Sequence, residues 1–391
     1  MLVIDIILLV ISLALAVFGV ITITNAFTML RLGKGVDGGV QPVLRADSRV
    51  PTTPAVLISI LVPMRNEKNV ISRTLRSLLA QDDPAFEVLV LDDESDDGSA
   101  DATRRAAEDD PRFKLLTGQP LPLGWKGKNW ACAQLARSAR GEYLVFTDAD
   151  VHWVPYALSR LRRALKTTQA DAYTIWPTQV TESWGERLVV PMIALAAMGY
   201  LPAFIAHNLP WAFLAASTGQ CRVFRRSVYQ AVGGHAEVKD QPLEDDALMR
   251  QVKLKGYKLR RVDGAGLISC RMYSDWPSVR DGFAKNILVG HGGIFFMLLS
   301  TLFHWLVFVF PWAWFLLGWV GGENFRYPIW ALTLAATGLA IRALTAKMTR
   351  QRVGDAFLLP ASVVAMTLIA GHALRWHWSG GTQWKGRILK V

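Results

Sequence analysis

The chain has 391 residues, 51% of them hydrophobic, with 15 tryptophans and a formal net charge of +11. Mean hydropathy is positive, +0.24, which excludes an ordinary soluble protein. A basic excess fits either nucleic acid or the cytoplasmic face of a membrane. The placement of the charges decides for the bilayer, and no nucleic-acid partner is expected.

Residues 1–30 contain no Lys or Arg, and Asp5 is their single charge. About 20 apolar residues cross a bilayer, so this segment predicts a transmembrane helix. The run is too long for a cleaved leader, and it lacks a basic start. Arg31, Lys34, Arg45 and Arg49 follow at once, and Arg342, Lys347, Arg350 and Arg352 separate two later apolar blocks. The positive-inside rule places both groups in the cytoplasm. Cys132, Cys221 and Cys270 show no metal-ligand spacing and read as small buried hydrophobes of a reducing compartment.

A linker over residues 31–54 leads into strand–helix alternation. Residues 57–62 form an apolar run of strand length. Asn69 is placed to cap a helix carrying Ile71, Leu75, Leu78 and Leu79 on one stripe. Strands are expected at 86–91, 113–116, 143–147 and 172–175. Helices are expected from Ser99, over 128–140, and over 244–255, where Gly256 stops the last. The pattern predicts an α/β domain over 55–290, with a mostly parallel, Rossmann-like sheet that binds ligands at the carboxyl ends of its strands. Within it, residues 188–216 are apolar but broken by Pro191, Pro202 and Pro210, which suits a segment lying in the membrane interface. Apolar blocks at 294–320, 330–343 and 356–374 predict a C-terminal membrane domain over 291–375, followed by a basic tail, 376–391.

The polar residues gather where strands end. The first strand runs into Pro63-Met64-Arg65-Asn66-Glu67, the second into Asp92-Asp93-Glu94-Ser95-Asp96-Asp97-Gly98-Ser99, and a third into Asp148-Ala149-Asp150. Asp97 and Ser99 suit a helix cap; Asp92 and Asp93 are left over. Two carboxylates one residue apart can hold Mg²⁺ or Mn²⁺, and such cations favour one or two carboxylates plus substrate phosphates. Lys128, at a helix start in Gly124-Trp125-Lys126-Gly127-Lys128-Asn129, is placed for a diphosphate. Glu244-Asp245-Asp246 opens another helix, either as a plain N-terminal cap or as the source of a general base.

These motifs together resemble the membrane-associated family 2 glycosyltransferases, which have the GT-A fold. The likeness runs from about residue 57 to 286. Within the family the chain is most similar to the branch of bacterial carotenoid- and hopanoid-associated enzymes. That similarity rests on Gly124-Trp125, Lys128-Asn129, Gly219-Gln220, Arg271-Met272-Tyr273, Gly282-Phe283-Ala284-Lys285-Asn286 and Trp384-Lys385-Gly386-Arg387. The resemblance implies that Asp93 contacts the uracil of a UDP-sugar and Lys128 its diphosphate, with Pro63, Arg65, Glu67 and Asp92 on the same donor side. It implies Asp148 on ribose or metal, Asp150 on the metal, and Asp245 as catalytic base. It puts Gly219, Gln220, Glu244, Arg271, Arg280 and Lys285 on the acceptor side. The Q-x-x-R-W motif of the family's processive members is missing; Asp281-Gly282-Phe283-Ala284-Lys285 stands there instead.

The reading is a glycosyltransferase integral to the cytoplasmic membrane, with its catalytic domain in the cytoplasm. It would move a sugar from a nucleotide-sugar to a membrane lipid. The alternatives are a polysaccharide synthase and an inactive membrane binding protein. The missing motif argues against the first, and intact Asp93, Asp148, Asp150 and Asp245 argue against the second.

Overall fold

The computed structural model describes residues 2–33, 56–321, 327–384 and 387–389. The expected linker beyond Gly33, and Lys385, Gly386 and Lys390 of the tail, lie outside them. The chain divides into two compact units. The first contains residues 1–28, 179–204 and 272–391; the second contains 29–178 and 205–271. Residues 179–204 and 272–290, which the sequence reading placed in the α/β domain, cluster with the apolar helices.

The second unit is built on one eight-stranded sheet. In chain order its strands are β1 (Leu30–Arg31), β2 (Ile58–Met64), β3 (Phe86–Asp92), β4 (Phe113–Thr117), β5 (Tyr143–Thr147), β7 (Ala172–Trp176), β9 (Cys221–Arg225) and β10 (Leu259–Asp263). Outside this sheet lie the short strands β6 (Val151–Trp153), β8 (Thr178–Gln179) and β11 (Ile268–Cys270), of which β6 and β11 pair antiparallel. The order across the large sheet is β1-β10-β7-β9-β5-β2-β3-β4. Every pair is parallel except the two made by β9, which runs antiparallel to both β5 and β7.

That one reversed strand is what the periodicity does not show. Its five residues include two arginines and carry no alternation strong enough to announce a strand. Its effect is large. In a parallel pair, carboxyl ends meet carboxyl ends; across the β5–β9 pair, the amino end of β9 meets the carboxyl end of β5, with Thr147 opposite Cys221. Gly219 and Gln220 are thereby delivered to the edge that carries Asp148. The core beneath is apolar, with Leu61, Leu91, Leu135, Phe146, Phe224 and Leu248 among its buried members. The helix after β2 starts differently from expectation. It spans Ile71–Leu79 with Val70 as its N-cap, and Asn69 does not cap it. The Glu67 carbonyl accepts the N–H groups of Val70 and Ile71 instead, each at 3.0 Å.

Among the described residues of the first unit, four helices are long and apolar enough to cross a membrane: Val3–Thr28, Ile294–Val320, Pro328–Met348 and Val353–Trp378. Leu8, Ile11 and Leu15 turn inward to meet Val307, Phe308, Leu334 and Ile341. Leu9, Leu13 and Val20 point outward, each more than 60% exposed, as lipid-facing positions do. The helix containing Pro311 continues through it. A π-turn over Trp305–Val309 precedes the proline, and at its end the Phe310 N–H donates to the Trp305 carbonyl. Asn25 is fully buried in the apolar helix Leu2–Thr28. Its amide donates to the carbonyls of Met198 and Leu201, both at 2.9 Å, and accepts from the Ala203 N–H at 2.7 Å. It thus satisfies the backbone that Pro202 leaves open. Gly282 is held without a side chain because Tyr273 packs there; an added Cβ would lie 2.2 Å from Tyr273 Cε1.

Deleting residues 1–30 is expected to leave the chain in the membrane fraction. Three other candidate spans remain, and apolar burial stabilises by about 25 cal/mol per Å². Sedimentation and detergent extraction of the truncated chain measure this. A monodisperse soluble monomer would show that the C-terminal helices do not enter the bilayer.

Candidate active site

The parallel register fixes the donor side. Met64 pairs with Asp92, so the loops after β2 and β3 leave the sheet side by side. They are laced together by side chains. Ser95 Oγ accepts the Asn66 N–H at 3.0 Å, Asn66 Oδ1 accepts the Asp96 N–H at 3.1 Å, and Ser99 Oγ accepts the Glu67 N–H at 2.8 Å. Asp97 accepts from Lys68 N–H at 3.0 Å and from Ser99 N–H at 2.9 Å. The helix Ser99–Ala107 nevertheless has Gly98 as its N-cap, without a side-chain cap bond, so Asp97 and Ser99 fasten the loop before it and are not the cap that the sequence suggested. Arg65 donates to the Asp93 carbonyl at 2.5 Å and lies 3.4 Å from Glu94. Asp92 accepts the Ser95 N–H at 3.3 Å and has a structural task. Asp93 is buried, 4% exposed, at the strand end.

Asp148 and Asp150 leave β5 in a tight turn. Thr74 Oγ1 donates to the carbonyl of Ala149 at 2.7 Å and holds the turn from the neighbouring helix. Asp148 N–H donates to the Gln220 carbonyl at 3.2 Å, which ties the pair to the reversed strand. The Gln220 amide in turn donates to Cys270 Sγ at 3.1 Å. Burial, then the charges of Asp148 and Glu67, push the Asp150 carboxyl up to about 7. Its Oδ1 is buried without a hydrogen-bond partner. An orphaned carboxylate oxygen whose neighbours are other carboxylates fits a divalent cation. Among the described residues no three His, Cys, Asp or Glu side chains are gathered to hold a metal by themselves. A cation here would complete its shell with substrate phosphates and water, as Mg²⁺ does.

Lys128 sits in the first turn of the helix Gly127–Ser138. Its ammonium lies 2.7 Å from Asp148 Oδ1 and 3.7 Å from Glu244 Oε1. Burial disfavours the charge, but Asp148 and Glu244 outweigh it and hold the pKa well above its usual value. Lys128 is a permanent cation beside the carboxylate pair, where a diphosphate needs one. Asn129, next to it, is buried and donates to the carbonyls of Val238 at 2.7 Å and Gln241 at 3.1 Å. That contact fixes the loop that delivers the helix Glu244–Leu254.

Glu244 and Asp245 open that helix, and the two have different tasks. Glu244, 6% exposed, takes Lys128 on one side and Arg222 on the other, at 3.4 Å. Asp246 accepts the Ser217 N–H at 2.6 Å and holds the loop before Gly219. Asp245 is left facing the site. Burial, then Glu244 and Asp246, push its carboxyl up to about 7, which suits a group that must take up and release a proton near neutrality. Gly219 lies among these groups. A Cβ on it would come within 3.2 Å of Lys128 Nζ, 3.6 Å of Asp245 Oδ2 and 3.9 Å of Asp148 Oδ2. Base, cation and strand-end carboxylate therefore surround one glycine.

The structure brings Glu67, Asp93, Lys128, Asp148, Asp150, Gly219, Gln220, Glu244 and Asp245 onto the carboxyl edge of one sheet. Arg271 closes the same unit, whereas Arg280 and Lys285 belong to the unit of apolar helices, where Arg280 pairs with Asp281 at 2.7 Å. His235, ten residues before Asp245, reads from the sequence as a surface-loop residue, and the structure does not place it at the surface. It is fully buried, its Nδ1 is 2.8 Å from Tyr229 Oη, and its ring packs against Phe146. Burial, with Arg222 and Lys128, holds its pKa well below the usual value, so it stays neutral. Arg222 went unnoticed in the sequence. It is fully buried on β9, with Glu244 as its counter-ion. Its sequence signal was a charge inside the apolar stretch Cys221-Arg222-Val223-Phe224.

Comparison with known proteins bears on the fold. Residues 59–233 match the family described as Glycosyl transferase family 2. The matched span contains Asp93, Lys128, Asp148 and Asp150 and ends before Asp245. The chain is 26% identical over 259 residues to a protein of Staphylococcus haemolyticus named 4,4'-diaponeurosporenoate glycosyltransferase, covering 64% of this chain and 66% of the relative. A protein of the same name from Staphylococcus aureus is 24% identical over 264 residues, covering 64% and 65%. The chain thus spans slightly under two thirds of these relatives. Among solved structures, a mannosyltransferase from Pyrobaculum calidifontis, in complex with GDP-Man and Mn²⁺, superposes with a TM-score of 0.52 at 21% identity. The superposition covers 91% of this chain and 98% of that one. The sheet topology and the family match agree: residues 59–233 match the family 2 glycosyltransferase domain on a GT-A fold, and among the described residues four helices are apolar enough to cross a membrane.

Proposed function

We propose that the chain is an inverting glycosyltransferase that moves a sugar from a nucleotide-sugar, of the UDP type, to a lipid held in the cytoplasmic membrane. The observation that carries this reading is the grouping of Lys128, Asp148 and Asp245 around Gly219. An acceptor hydroxyl attacks the anomeric carbon, its proton passes to Asp245 Oδ2, and the bond to the diphosphate oxygen breaks. Lys128 stays charged throughout and stabilises the anion that leaves. Mg²⁺ or Mn²⁺, held by Asp148 and Asp150, would supply further positive charge to the diphosphate. Asp93, buried at the end of β3, is the group for a base N–H. The candidate spans and the carotenoid-named relatives support a lipid acceptor. The positive-inside reading of Arg31 and the Arg342–Arg352 cluster supports a cytoplasmic catalytic domain.

The test is turnover of labelled UDP-sugars by the detergent-solubilised chain, with Mn²⁺ and with EDTA. Turnover should require the metal, and Asp150→Ala should raise the Mn²⁺ concentration needed. Full activity in chelator would remove the metal role from Asp148 and Asp150.

A further inference from the structure

The unit of apolar helices holds a chain of polar groups that sugar transfer does not use. Tyr200 ends the π-turn Ala196–Tyr200, and His304 immediately precedes the π-turn Trp305–Val309. Such turns are frequent at functional positions. Tyr200 Oη lies 3.1 Å from His304 Nε2, and His304 Nδ1 lies 2.7 Å from the Ser300 carbonyl. Ser300 Oγ lies 3.2 Å from His291 Nε2, and His291 Nδ1 lies 2.8 Å from the Ile287 carbonyl. Phe18 and Phe308 flank the pair, with ring centroids 4.4 Å from Tyr200 and 5.9 Å from His304. All four polar side chains are half-buried, and Phe295, Phe296, Leu299 and Leu302 nearby are exposed.

Counting donors fixes what this chain can still bind. A carbonyl only accepts, so each histidine donates its Nδ1–H to one. In the neutral ring each Nε2 is then an acceptor. It takes the hydroxyl proton of Tyr200 in one case and of Ser300 in the other. Every donor is now committed. His304 Nδ1 also lies 3.4 Å from Ser300 Oγ, so the acceptor capacity left wholly unused is on Tyr200 Oη. Half-exposed acceptors in an apolar setting are costly unless a donor reaches them. A partner that donates a hydrogen bond, as an alcohol does, can use the Tyr200 acceptor. A carboxylate or phosphate brings only acceptors, and no cation stands in the cluster to receive it.

We propose that Tyr200, His291, Ser300 and His304 form a membrane-embedded seat for the hydroxyl of a long-chain lipid alcohol, with the chain of the lipid along the surrounding aromatic and aliphatic side chains. This rests on the proposed function for the use of that lipid as acceptor.

The test uses the full chain in nanodiscs and hexadecanol carrying a photoactivatable diazirine. Labelling should fall on residues 196–204 or 287–304. Unlabelled hexadecanol should compete about tenfold better than its methyl ether or hexadecanoate, the difference one net hydrogen bond makes. The triple variant Tyr200→Phe, Ser300→Ala, His304→Phe should lose the label at unchanged thermal stability. Equal competition by the ether, labelling elsewhere, or an undiminished label in the folded variant would overturn the seat. Should the variant fail to fold, the competition series on the unaltered chain decides alone. Labelling needs no nucleotide-sugar, so failure of the glycosyltransferase reading and failure of the seat are read separately.

Discussion

Asp245→Asn is expected to lower sugar transfer by roughly 10²–10⁴-fold, the range that a positioned general base contributes, while donor affinity changes little. The amide keeps the shape and cannot take a proton. Glu244, Lys128 and Arg222 keep their mutual contacts, because Asp245 is not part of that ion-pair chain. The pH dependence follows from the same residue. Its carboxyl is raised to about 7, and the base works only when deprotonated. Turnover should therefore rise with pH up to about 7, falling about tenfold per unit below it. Asp150, also raised to about 7, gives a limb that added Mn²⁺ moves to lower pH, since a cation favours the charged carboxylate. The Asp245 limb should stay in place. Calorimetry of UDP-sugar binding beside a pH–rate series checks both statements. Lost donor affinity, or near-normal turnover in the Asn variant, would take the base role from Asp245.

Arg222→Met is expected to cost about 1.5–3 kcal/mol of stability, because it leaves the buried Glu244 with Lys128 alone as its counter-ion. Arg222 is fully buried and lies opposite Phe146 in the β5–β9 register, so no water can replace it. Adding Glu244→Gln should recover part of the loss, since the carboxylate that lost its nearer counter-ion is then neutral. Thermal unfolding of the two single variants and the double variant measures the coupling. Additive losses would mean that Arg222 holds the sheet by packing alone.

The parallel half of the sheet was legible because its strands announce themselves: apolar runs ending in Arg65-Asn66-Glu67, Asp92-Asp93 and Asp148-Ala149-Asp150. So were the carboxylates of the site, since parallel strands share a polar edge. The antiparallel β9 was not legible, and with it went the reason why Gly219 and Gln220 reach the site. Local pattern carries no strand direction. Arg222 was missed for a related cause: an arginine inside a strand looks like an exposed alternation until the opposite strand shows it buried. Asn69 and His235 were misjudged because a helix start and a loop depend on long-range partners. The Glu67 carbonyl took over the cap in one case. Tyr229 and Phe146 enclosed the imidazole in the other. Asn129, beside Lys128, was given no role from the sequence; its amide fastens the loop at Val238–Gln241.

The proposed transfer of sugar to a lipid can be read in the lipids themselves. The most direct measurement is mass spectrometry of membrane lipids from cells with and without the chain, with Asp245→Asn as the matched control. The account predicts a lipid heavier by one sugar residue, present with the intact chain and absent with both the deletion and the variant. Identical lipid profiles, together with a sugar-bearing product in the water-soluble fraction, would contradict it.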